Sequence, residues 1–317
     1  MEKIVAFPFR HHKELFYKEA RDLLENAGYK LVCNDAGKKL SREDHLAMIQ
    51  DAFAIVAGTE SYDADMIRRC KNLKLVMRFG VGTDNFDLNA MKQQNVQVGV
   101  IANYNAVAEF ALMLMLSVLK QLPRLDNVVR NGGWTRYEAH ELSGKTIGLI
   151  GFGRIGRRLA ELLQNFDVKI IAYDPYMDMD AANQRNVESV TLEDLFTHAD
   201  IISLHLPSLP ETYHLINADT ISRMKTGSYI INTARGKLID EIALCDALKC
   251  RKLAGAGLDV YEEEPFKPGN PLCELNNVVL TPHTSALTYE TNYKASLICA
   301  KSILQVERGG KPIYPVI

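Results

Sequence analysis

Short apolar runs alternate with helical patterns along the chain. In the first third, apolar β-rich runs predict strands at 4–7, 29–33, 54–57, 73–77 and 96–98, with helices at 13–27, 64–70 and 88–94. After a helical segment around 106–120 and a Gly-rich loop at 131–134, the alternation resumes. Strands are expected at 146–150, 169–173, 201–204, 228–232, 255–258 and 278–280, with helices such as 154–164, 192–196 and 241–248 between them. This order predicts an α/β fold with two doubly wound parallel sheets.

The composition is that of an ordinary globular protein. Hydrophobic residues make up 47% and charged residues 24% of 317 positions, and the formal net charge is −2. No basic stripe suggests a nucleic-acid surface, and the longest apolar run, 110–119, is too short to cross a bilayer. The first residues lack the apolar length of a signal peptide, and the six cysteines have no zinc-site spacing. We expect no metal, nucleic acid or membrane partner, and a cytoplasmic location.

A glycine-rich turn joins a predicted strand to a predicted helix. Strand 146–150 leads directly into Gly151-Phe152-Gly153-Arg154-Ile155-Gly156, the G-x-G-x-x-G spacing of dinucleotide-binding folds. Gly151 would permit the tight turn, Gly153 the approach of a pyrophosphate, and Gly156 the close packing of helix on strand. The amides at the helix N-terminus would face the phosphates. By itself such a turn is weak support for a cofactor site.

Asp174 lies where the dinucleotide-binding pattern expects an acid. It ends the next predicted strand, roughly 20 residues after the last glycine. A carboxylate there accepts hydrogen bonds from the ribose hydroxyls and repels a 2′-phosphate, which favours NAD over NADP. Two alternatives stay open at this point. Asp174 could only cap the turn before Pro175, and methyltransferases that use S-adenosylmethionine have a similar turn and acid.

Three polar segments follow predicted strands of the second unit, at 230–236, 257–265 and 280–286. Because ligands of open α/β sheets bind beyond the carboxyl ends of the strands, we expect all three to reach one crevice. Arg235 is the candidate to hold a substrate carboxylate bidentately. His283 is the candidate proton donor near neutral pH, and Glu264 the carboxylate that orients it and favours its protonated form.

Each of these three residues also has a structural alternative. Arg235 could be a surface residue at a strand end, Glu264 part of a solvated acidic run, and His283 a loop histidine. Seven other histidines are present. Of these, His205 also ends a predicted strand, and we expect it to line the cofactor side.

With these residues in view, the chain closely resembles the D-isomer-specific 2-hydroxyacid dehydrogenases from about residue 51 onwards. The likeness includes 78–85, 107–109, 142–146, the run His205-Leu206-Pro207 and the three polar segments. A methyltransferase would not combine these. The resemblance implies an NAD-dependent enzyme that moves a hydride between the cofactor and carbon 2 of a small 2-hydroxy or 2-oxo acid of the D series.

The resemblance also implies roles for individual residues and domains. Arg235, Glu264 and His283 form the catalytic set. The cofactor would be bound by Gly151, Gly153, Arg154, Ile155, Gly156, Asp174, Leu206, Pro207, Thr233, Ala234, Arg235, Asp259, His283 and Ser285. The substrate would be bound by Arg78, Phe79, Gly80, Val81, Gly82, Asn103 and Arg235. A flavodoxin-like, discontinuous substrate domain would comprise 1–100 and 288–317, and a Rossmann NAD domain 101–287. Members are usually dimers, and the segment 110–134 of the NAD domain would be the dimerising element, or else a core helix.

The nearest likeness is to short phosphoglycerate dehydrogenase-like members, from which this chain departs at two places. Those enzymes have a phosphate-holding Arg where this chain has Ala57 and Gly58, with Glu60 just beyond. A carboxylate there would weaken phosphate binding, although Arg78 could still supply one cation. The run 100–103 also lacks the usual Pro-Gly. The substrate therefore stays open between 3-phosphoglycerate and lactate-, glyoxylate- or branched 2-oxo-acid-like molecules.

Two alternative functions remain. An NAD-sensing corepressor on the same fold would bind NADH without turnover, but the chain lacks long disordered flanks and has the whole catalytic set. A formate dehydrogenase would carry a Gln in place of the supporting Glu264.

Overall fold

The computed structural model describes residues 3–10, 15–101 and 104–317. The chain divides into two compact units at positions 103/104 and 286/287, so that the first unit contains both ends of the chain. Each unit is built on one sheet in which every pair of neighbouring strands is parallel. The predicted α/β class with two parallel-sheet domains is confirmed.

Unit 1 has a five-stranded sheet in the order β2-β1-β3-β4-β5. Its described elements are β1 (Lys3–Phe7), α1 (Lys18–Asn26), β2 (Tyr29–Cys33), α2 (Arg42–Ile49), β3 (Ala54–Ala57), α3 (Ala64–Arg69), β4 (Leu75–Arg78), α4 (Leu88–Gln93), β5 (Gln97–Gly99) and the C-terminal helix α12 (Tyr289–Glu307). All four residues of β3 are buried, because helices cover both faces of the sheet. Buried strands of this kind read as continuous apolar runs.

Two apolar clusters hold unit 1 together. One contains Phe7, Phe16 and Leu24 together with Cys299 and Ile303 of α12, so the C-terminal helix completes this core. The second lies among α2, α3 and α4 and the strands they cover. Several of these short helices begin at a side chain that accepts a hydrogen bond from a first-turn amide, as at α2, α3 and α4.

Unit 2 has a seven-stranded sheet in the order β12-β11-β10-β9-β6-β7-β8. Its elements are α5 (Asn105–Leu119), α6 (Leu122–Arg130), β6 (Thr146–Ile150), α7 (Arg154–Leu163), β7 (Lys169–Tyr173), α8 (Met179–Asn183), β8 (Val187–Ser189), α9 (Leu192–His198), β9 (Ile201–Leu204), α10 (Ala218–Arg223), β10 (Ser228–Asn232), α11 (Glu241–Lys249), β11 (Leu253–Leu258) and β12 (Val278–Leu280), with 3₁₀ turns at Pro210–Thr212, Gly236–Leu238 and Pro271–Glu274. The strand order reverses beside β6, between β9 and β7, and such a switch point opens a crevice at the carboxyl ends of the strands.

The packing of α5 explains why its sequence is almost wholly apolar. Leu114, Met115 and Val118 lie in a buried cluster with residues of strands β6 and β10 and of helix α7, such as Leu159. The next helix, α6, buries none of its residues. Within the described residues no single helix is long and apolar enough to span a membrane, and only the pair α5 and α6, bent by 64°, passes a test of length and composition.

Some elements were not predicted. α2 begins at Ser41 in a segment with little helical periodicity, and β8 is a three-residue edge strand with two exposed residues. Both are fixed by packing that a local pattern does not record. The first helix of unit 1 begins at Lys18, because Tyr17 is the N-cap in an extended conformation, so the predicted start at 13 is wrong.

Candidate active site

The glycine-rich turn of unit 2 connects β6 to α7, and neighbouring backbone packs closely against two of its glycines. Gly151 has a φ of +98°, and a Cβ added there would lie 2.6 Å from the carbonyl oxygen of His205. A Cβ on Gly156 would lie 2.4 Å from the carbonyl oxygen of Gly151. Both positions therefore require glycine, the first for its backbone conformation and both for close approach. A Cβ on Gly153 would meet nothing within 4 Å.

The open space at Gly153 and the uncapped N-terminus of α7 fit a phosphate-bearing cofactor. Gly153 is the N-cap residue of α7, and no side chain caps the first-turn amides. Uncapped amides at a helix N-terminus attract anions because they are free donors at the positive end of the helix dipole. Arg154 is exposed and Ile155 is half-buried at the same helix end.

Asp174 is tied to the glycine-rich turn. Its carboxylate accepts hydrogen bonds from the amide of Phe152 at 2.7 Å and from the amide of Tyr176 at 2.8 Å. The side chain thus stabilises the turn after its own strand, as the capping alternative expects. Because a carboxylate has about four acceptor positions, these two bonds leave capacity for ribose hydroxyls, and the residue fits both roles.

The other predicted cofactor residues lie after neighbouring strands. Leu206 and Pro207 follow β9, and His205 makes a backbone hydrogen bond to Ile150 of β6. Both ring nitrogens of His205 are buried without a partner among the described residues, and burial lowers its pKa to about 4. Thr233, which follows β10, has a buried hydroxyl that likewise makes no hydrogen bond to the described part of the chain.

The loop that contains Arg235 is hydrogen-bonded to the side chain of Asn232. The fully buried Asn232 side chain donates to the carbonyl oxygen of Arg235 at 2.9 Å and accepts from the amide of Ala234 at 3.0 Å. The Arg235 guanidinium donates to the carbonyl oxygen of Ala234 at 2.6 Å. Sequence reasoning did not single out Asn232, although a polar residue in an otherwise apolar strand was the available signal.

Glu264 and His283 form a hydrogen-bonded pair. His283 Nδ1 lies 2.7 Å from Glu264 Oε2, and the amide of Tyr261 donates to Glu264 Oε1 at 3.1 Å. Burial alone would raise the pKa of Glu264. The hydrogen bond and charge of His283, the Tyr261 amide and the positive charge of Arg235 outweigh it, and the pKa is held below its usual value. The three residues predicted to be catalytic therefore interact electrostatically.

Asp259 organises the loop that carries His283. Its carboxylate is fully buried and accepts hydrogen bonds from the Thr281 hydroxyl at 2.6 Å and from the amides of Thr284 and Ser285 at 2.9 and 2.8 Å. The amide of His283 donates to the Asp259 carbonyl oxygen at 2.8 Å. These bonds hold His283 at a φ of +52°, an uncommon conformation for a residue other than glycine. The geometry thus gives Asp259 a positioning task besides its predicted place at the cofactor.

Gly236 brings the loops of the predicted catalytic residues Arg235 and Glu264 into direct contact. A Cβ at this position would lie 1.8 Å from the carbonyl carbon of Tyr261. The backbone after Arg235 thus packs against the backbone that leads to Glu264. The Tyr261 hydroxyl in turn donates to the carbonyl oxygen of Thr281 at 2.9 Å, which links this backbone to the His283 loop.

In unit 1, the predicted substrate loop follows β4. The Arg78 guanidinium donates to the carbonyl oxygens of Gly82 at 2.8 Å and Ala57 at 3.4 Å, and the Gly80 carbonyl accepts from Ile101. Phe79 stacks on Phe9 with ring centroids 5.7 Å apart. The amides of Val81 and Gly82 donate to no oxygen in the described ranges. The prediction for Asn103 lies outside the described residues.

Glu60 lies beside this loop, after β3. One of its carboxylate oxygens, Oε2, is buried without a hydrogen-bond partner in the described residues, and the carboxylate lies against Gly58. No group of three or more His, Cys, Asp or Glu side chains that could hold a metal ion occurs in residues 3–10, 15–101 and 104–317.

Comparison with known proteins identifies the family. Residues 112–285 match the model of the NAD binding domain of the D-isomer specific 2-hydroxyacid dehydrogenases. A D-3-phosphoglycerate dehydrogenase of Archaeoglobus fulgidus is 37% identical over 92% of this chain, which spans 56% of that relative. A glyoxylate reductase of Thermofilum pendens is 39% identical over 86% of this chain and 83% of the relative.

A solved structure extends the likeness to both units. The crystal structure of a glyoxylate reductase from Paecilomyes thermophila superposes with a TM-score of 0.89 at 28% identity, covering 99% of this chain and 98% of that chain. The predicted NAD cofactor agrees with the matched NAD binding domain and with the open space at Gly153. The chain belongs to the D-isomer specific 2-hydroxyacid dehydrogenase family.

Proposed function

We propose that this protein is an NAD-dependent dehydrogenase that interconverts small D-2-hydroxy acids and their 2-oxo acids. The hydrogen-bonded pair of His283 and Glu264, with the charge of Arg235 acting on it, carries the proposal. The same pair can take up and release a proton, while an adjoining cation can hold a carboxylate. The names of the relatives are those of dehydrogenases and reductases, so the corepressor alternative is not favoured.

When bound, NAD(H) supplies or accepts the hydride. The pyrophosphate would lie at Gly153 and the first turn of α7, with the ribose hydroxyls at Asp174. Leu206, Pro207, Thr233, Ala234 and Ser285 would line the remainder of the cofactor site.

The protein side chains would handle the carboxylate and the proton. In reduction, Arg235 holds the substrate carboxylate and polarises the 2-oxo group. As carbon 2 gains a hydride, its oxygen takes a proton from His283. Nδ1 of His283 is held by Glu264, so Nε2 is the atom that faces the substrate oxygen. In oxidation the neutral imidazole accepts the hydroxyl proton, and hydride leaves carbon 2.

The substrate loop would add to carboxylate binding. The amides of Val81 and Gly82 have no acceptor within the described residues, and Val81 is half-exposed, so both can donate to an anion. We propose that unphosphorylated 2-oxo acids such as glyoxylate and pyruvate are preferred. The Arg78 guanidinium is already engaged with two carbonyl oxygens, and the Glu60 carboxylate would repel a phosphate.

The direct test is oxidation of NADH, followed at 340 nm, with glyoxylate, pyruvate, branched 2-oxo acids and phosphohydroxypyruvate. We expect turnover of at least one unphosphorylated acid, with a higher kcat/KM than for phosphohydroxypyruvate. Turnover of none of these acids would contradict the proposed activity.

A matched variant tests the substrate preference separately. Glu60→Gln removes the negative charge and keeps the shape of the side chain. We expect kcat/KM for phosphohydroxypyruvate to rise several-fold relative to that for glyoxylate, because like-charge repulsion is removed. If phosphohydroxypyruvate is the best substrate of the unaltered enzyme, the role given to Glu60 is wrong, although the dehydrogenase activity stands.

We further propose a cytoplasmic homodimer that associates through unit 2. The segment from α5 to the following loop exposes Met113, Leu122, Val129 and Trp134, the last to 80%. Exposed apolar side chains clustered on one segment are typical of protein interfaces. All six cysteines are free, as expected of a reducing compartment. Sedimentation of the unaltered protein and of Leu122→Glu with Val129→Glu would test the interface, and we expect the double variant to sediment as a monomer.

A further inference from the structure

Unit 2 contains a cavity of about 300 Å³ that the active site does not use. It lies between α5, α6 and the starts of the strands β10, β11 and β12. Its lining includes Val118, Pro123, Arg124, Tyr229, Arg251 and Val279. This volume is at the lower end of the range for small-molecule sites.

The cavity is remote from the catalytic loops along the strands of the same sheet. Tyr229 and Ala254 stand at the second positions of β10 and β11, and Val278 begins β12. These are the amino ends of parallel strands, whereas the glycine-rich turn and the loops of Arg235 and His283 follow the carboxyl ends. A ligand in this cavity would therefore be distinct from substrate and cofactor.

The polar lining includes two arginines, and no carboxylate lines the cavity. The Arg124 guanidinium lies 3.4 Å from the centroid of the Tyr137 ring and donates to Gln121 Oε1 at 3.1 Å, so it is held in place. Arg251 contributes the second guanidinium of the lining. A cavity with two guanidinium groups and no acid favours an anion.

Tyr229 adds a phenol to the lining of the cavity. The residue is only 7% exposed. Its ring lies 6.4 Å from that of His140, also in the lining. A phenol hydroxyl donates one hydrogen bond, which a bound anion can accept.

We propose that this cavity binds a small organic anion, with a carboxylate or phosphate held by Arg124, Arg251 and the Tyr229 hydroxyl. Its apolar part would contact Val118, Pro123 and Val279, which form the other wall. The pairing of a planar guanidinium with a carboxylate or phosphate gives orientation as well as affinity.

Binding can be measured with benzoate and inorganic phosphate as probes. Isothermal titration calorimetry follows this binding, because it needs no reporter group near the cavity. We expect saturable binding in the millimolar range or tighter, with and without saturating NADH, and no equivalent change with sodium chloride at matched ionic strength. Tighter binding of benzoate than of phosphate would identify the ligand as a carboxylate, and the reverse order as a phosphate.

Variants locate the binding in this cavity. Each of Arg124→Gln and Arg251→Gln should weaken binding roughly tenfold, since charge-assisted hydrogen bonds to an anion are lost. Tyr229→Phe keeps the ring and should weaken binding several-fold. Arg130→Gln is the matched control: Arg130 is also on α6, but pairs with Asp126 and does not line the cavity.

Two results would overturn the proposal. One is the absence of saturable binding of either probe by the unaltered protein. The other is binding that Arg124→Gln and Arg251→Gln leave unchanged, or that Arg130→Gln weakens as much. If the two arginine variants instead alter only the sedimentation of the protein, the cavity serves contact between copies and not a small anion.

Discussion

The loops of unit 2 that carry Arg235, Glu264 and His283 differ from the region of unit 1 near the predicted substrate loop in how their buried polar groups are paired. In the loops of unit 2, the buried carboxylate of Asp259, the amide of Asn232 and the hydroxyl of Tyr261 all have hydrogen-bond partners. In unit 1, the hydroxyl of Tyr62 and a ring nitrogen of His45 are buried without a partner in the described residues.

In unit 2, the ring nitrogens of His205 and the hydroxyl of Thr233 are also buried without a partner in the described residues. The difference therefore lies between the groups that support His283 and buried polar groups elsewhere in both units. A residue that transfers a proton must be held in one geometry before the substrate arrives, and the bonds around Asp259 would do this for His283 in its predicted role. Polar atoms without partners cost stability, about 1–3 kcal/mol each.

Gly236→Ala should have the largest effect on the catalytic loops. The new Cβ would lie 1.8 Å from a backbone carbon, which no side-chain rotation can relieve. We expect a loss of about 3 kcal/mol or more in the free energy of unfolding, together with most of the activity. Urea unfolding checks the stability, with Gly153→Ala as the control. That variant has open space at its Cβ, so it should keep its stability and lose NADH affinity.

Asp259→Asn tests whether the loop of His283 depends on a charged acceptor. An amide cannot accept from all three donors that now bind the carboxylate, so at least one buried N–H or O–H loses its partner. We expect about 2–4 kcal/mol of lost stability and a fall in kcat that exceeds any change in NADH affinity. A variant that retains full kcat would show that Asp259 does not position His283.

A buried histidine in each unit makes stability fall in acid. Burial lowers the pKa of His45 and of His205 to about 4. In the unfolded chain histidine titrates near 6.5, so the unfolded state binds more protons between these values and is favoured as the pH falls. We expect a loss of about 2 kcal/mol for each histidine between pH 7 and pH 5. Urea unfolding at the two pH values measures this loss of stability. The variant His45→Gln should remove only the part of the loss that His45 causes.

We expect the smallest changes in stability from the removal of two tyrosine hydroxyls. The Tyr261 hydroxyl donates to a carbonyl oxygen, whereas the Tyr62 hydroxyl has no partner among the described residues. Tyr261→Phe should lose about 1 kcal/mol of stability, and Tyr62→Phe should lose none or gain slightly. Equal losses in the two variants would mean that the comparison between the units does not hold.

Patterns within single segments predicted the glycine-rich turn and the strand ends, because both depend on local sequence. The glycine-rich turn follows a strand and opens a helix as expected, because Gly151 and Gly156 each have a steric reason that the spacing records. Strand ends located Arg235, Glu264 and His283, and the structure brings Glu264 and His283 into contact. Their catalytic roles stay predictions.

Other features depend on which elements pack together, and the sequence did not reveal them. The hydrogen bonds of Asp259 join it to a loop more than twenty residues away. The close approach of Gly236 to Tyr261 requires two loops from different strands, and the cavity at Arg124 and Arg251 gathers residues from several helices and strands. No period or motif in one segment records such contacts.

The most direct test of the account is the effect of His283→Ala on turnover and on NADH binding in the same preparation. We predict that kcat with the best 2-oxo acid falls about 10²- to 10⁴-fold, while the dissociation constant for NADH, measured by fluorescence, changes little. The control His198→Ala, at an exposed position at the end of α9, should leave both unchanged. Retention of kcat in His283→Ala would contradict the role of His283 as the proton donor.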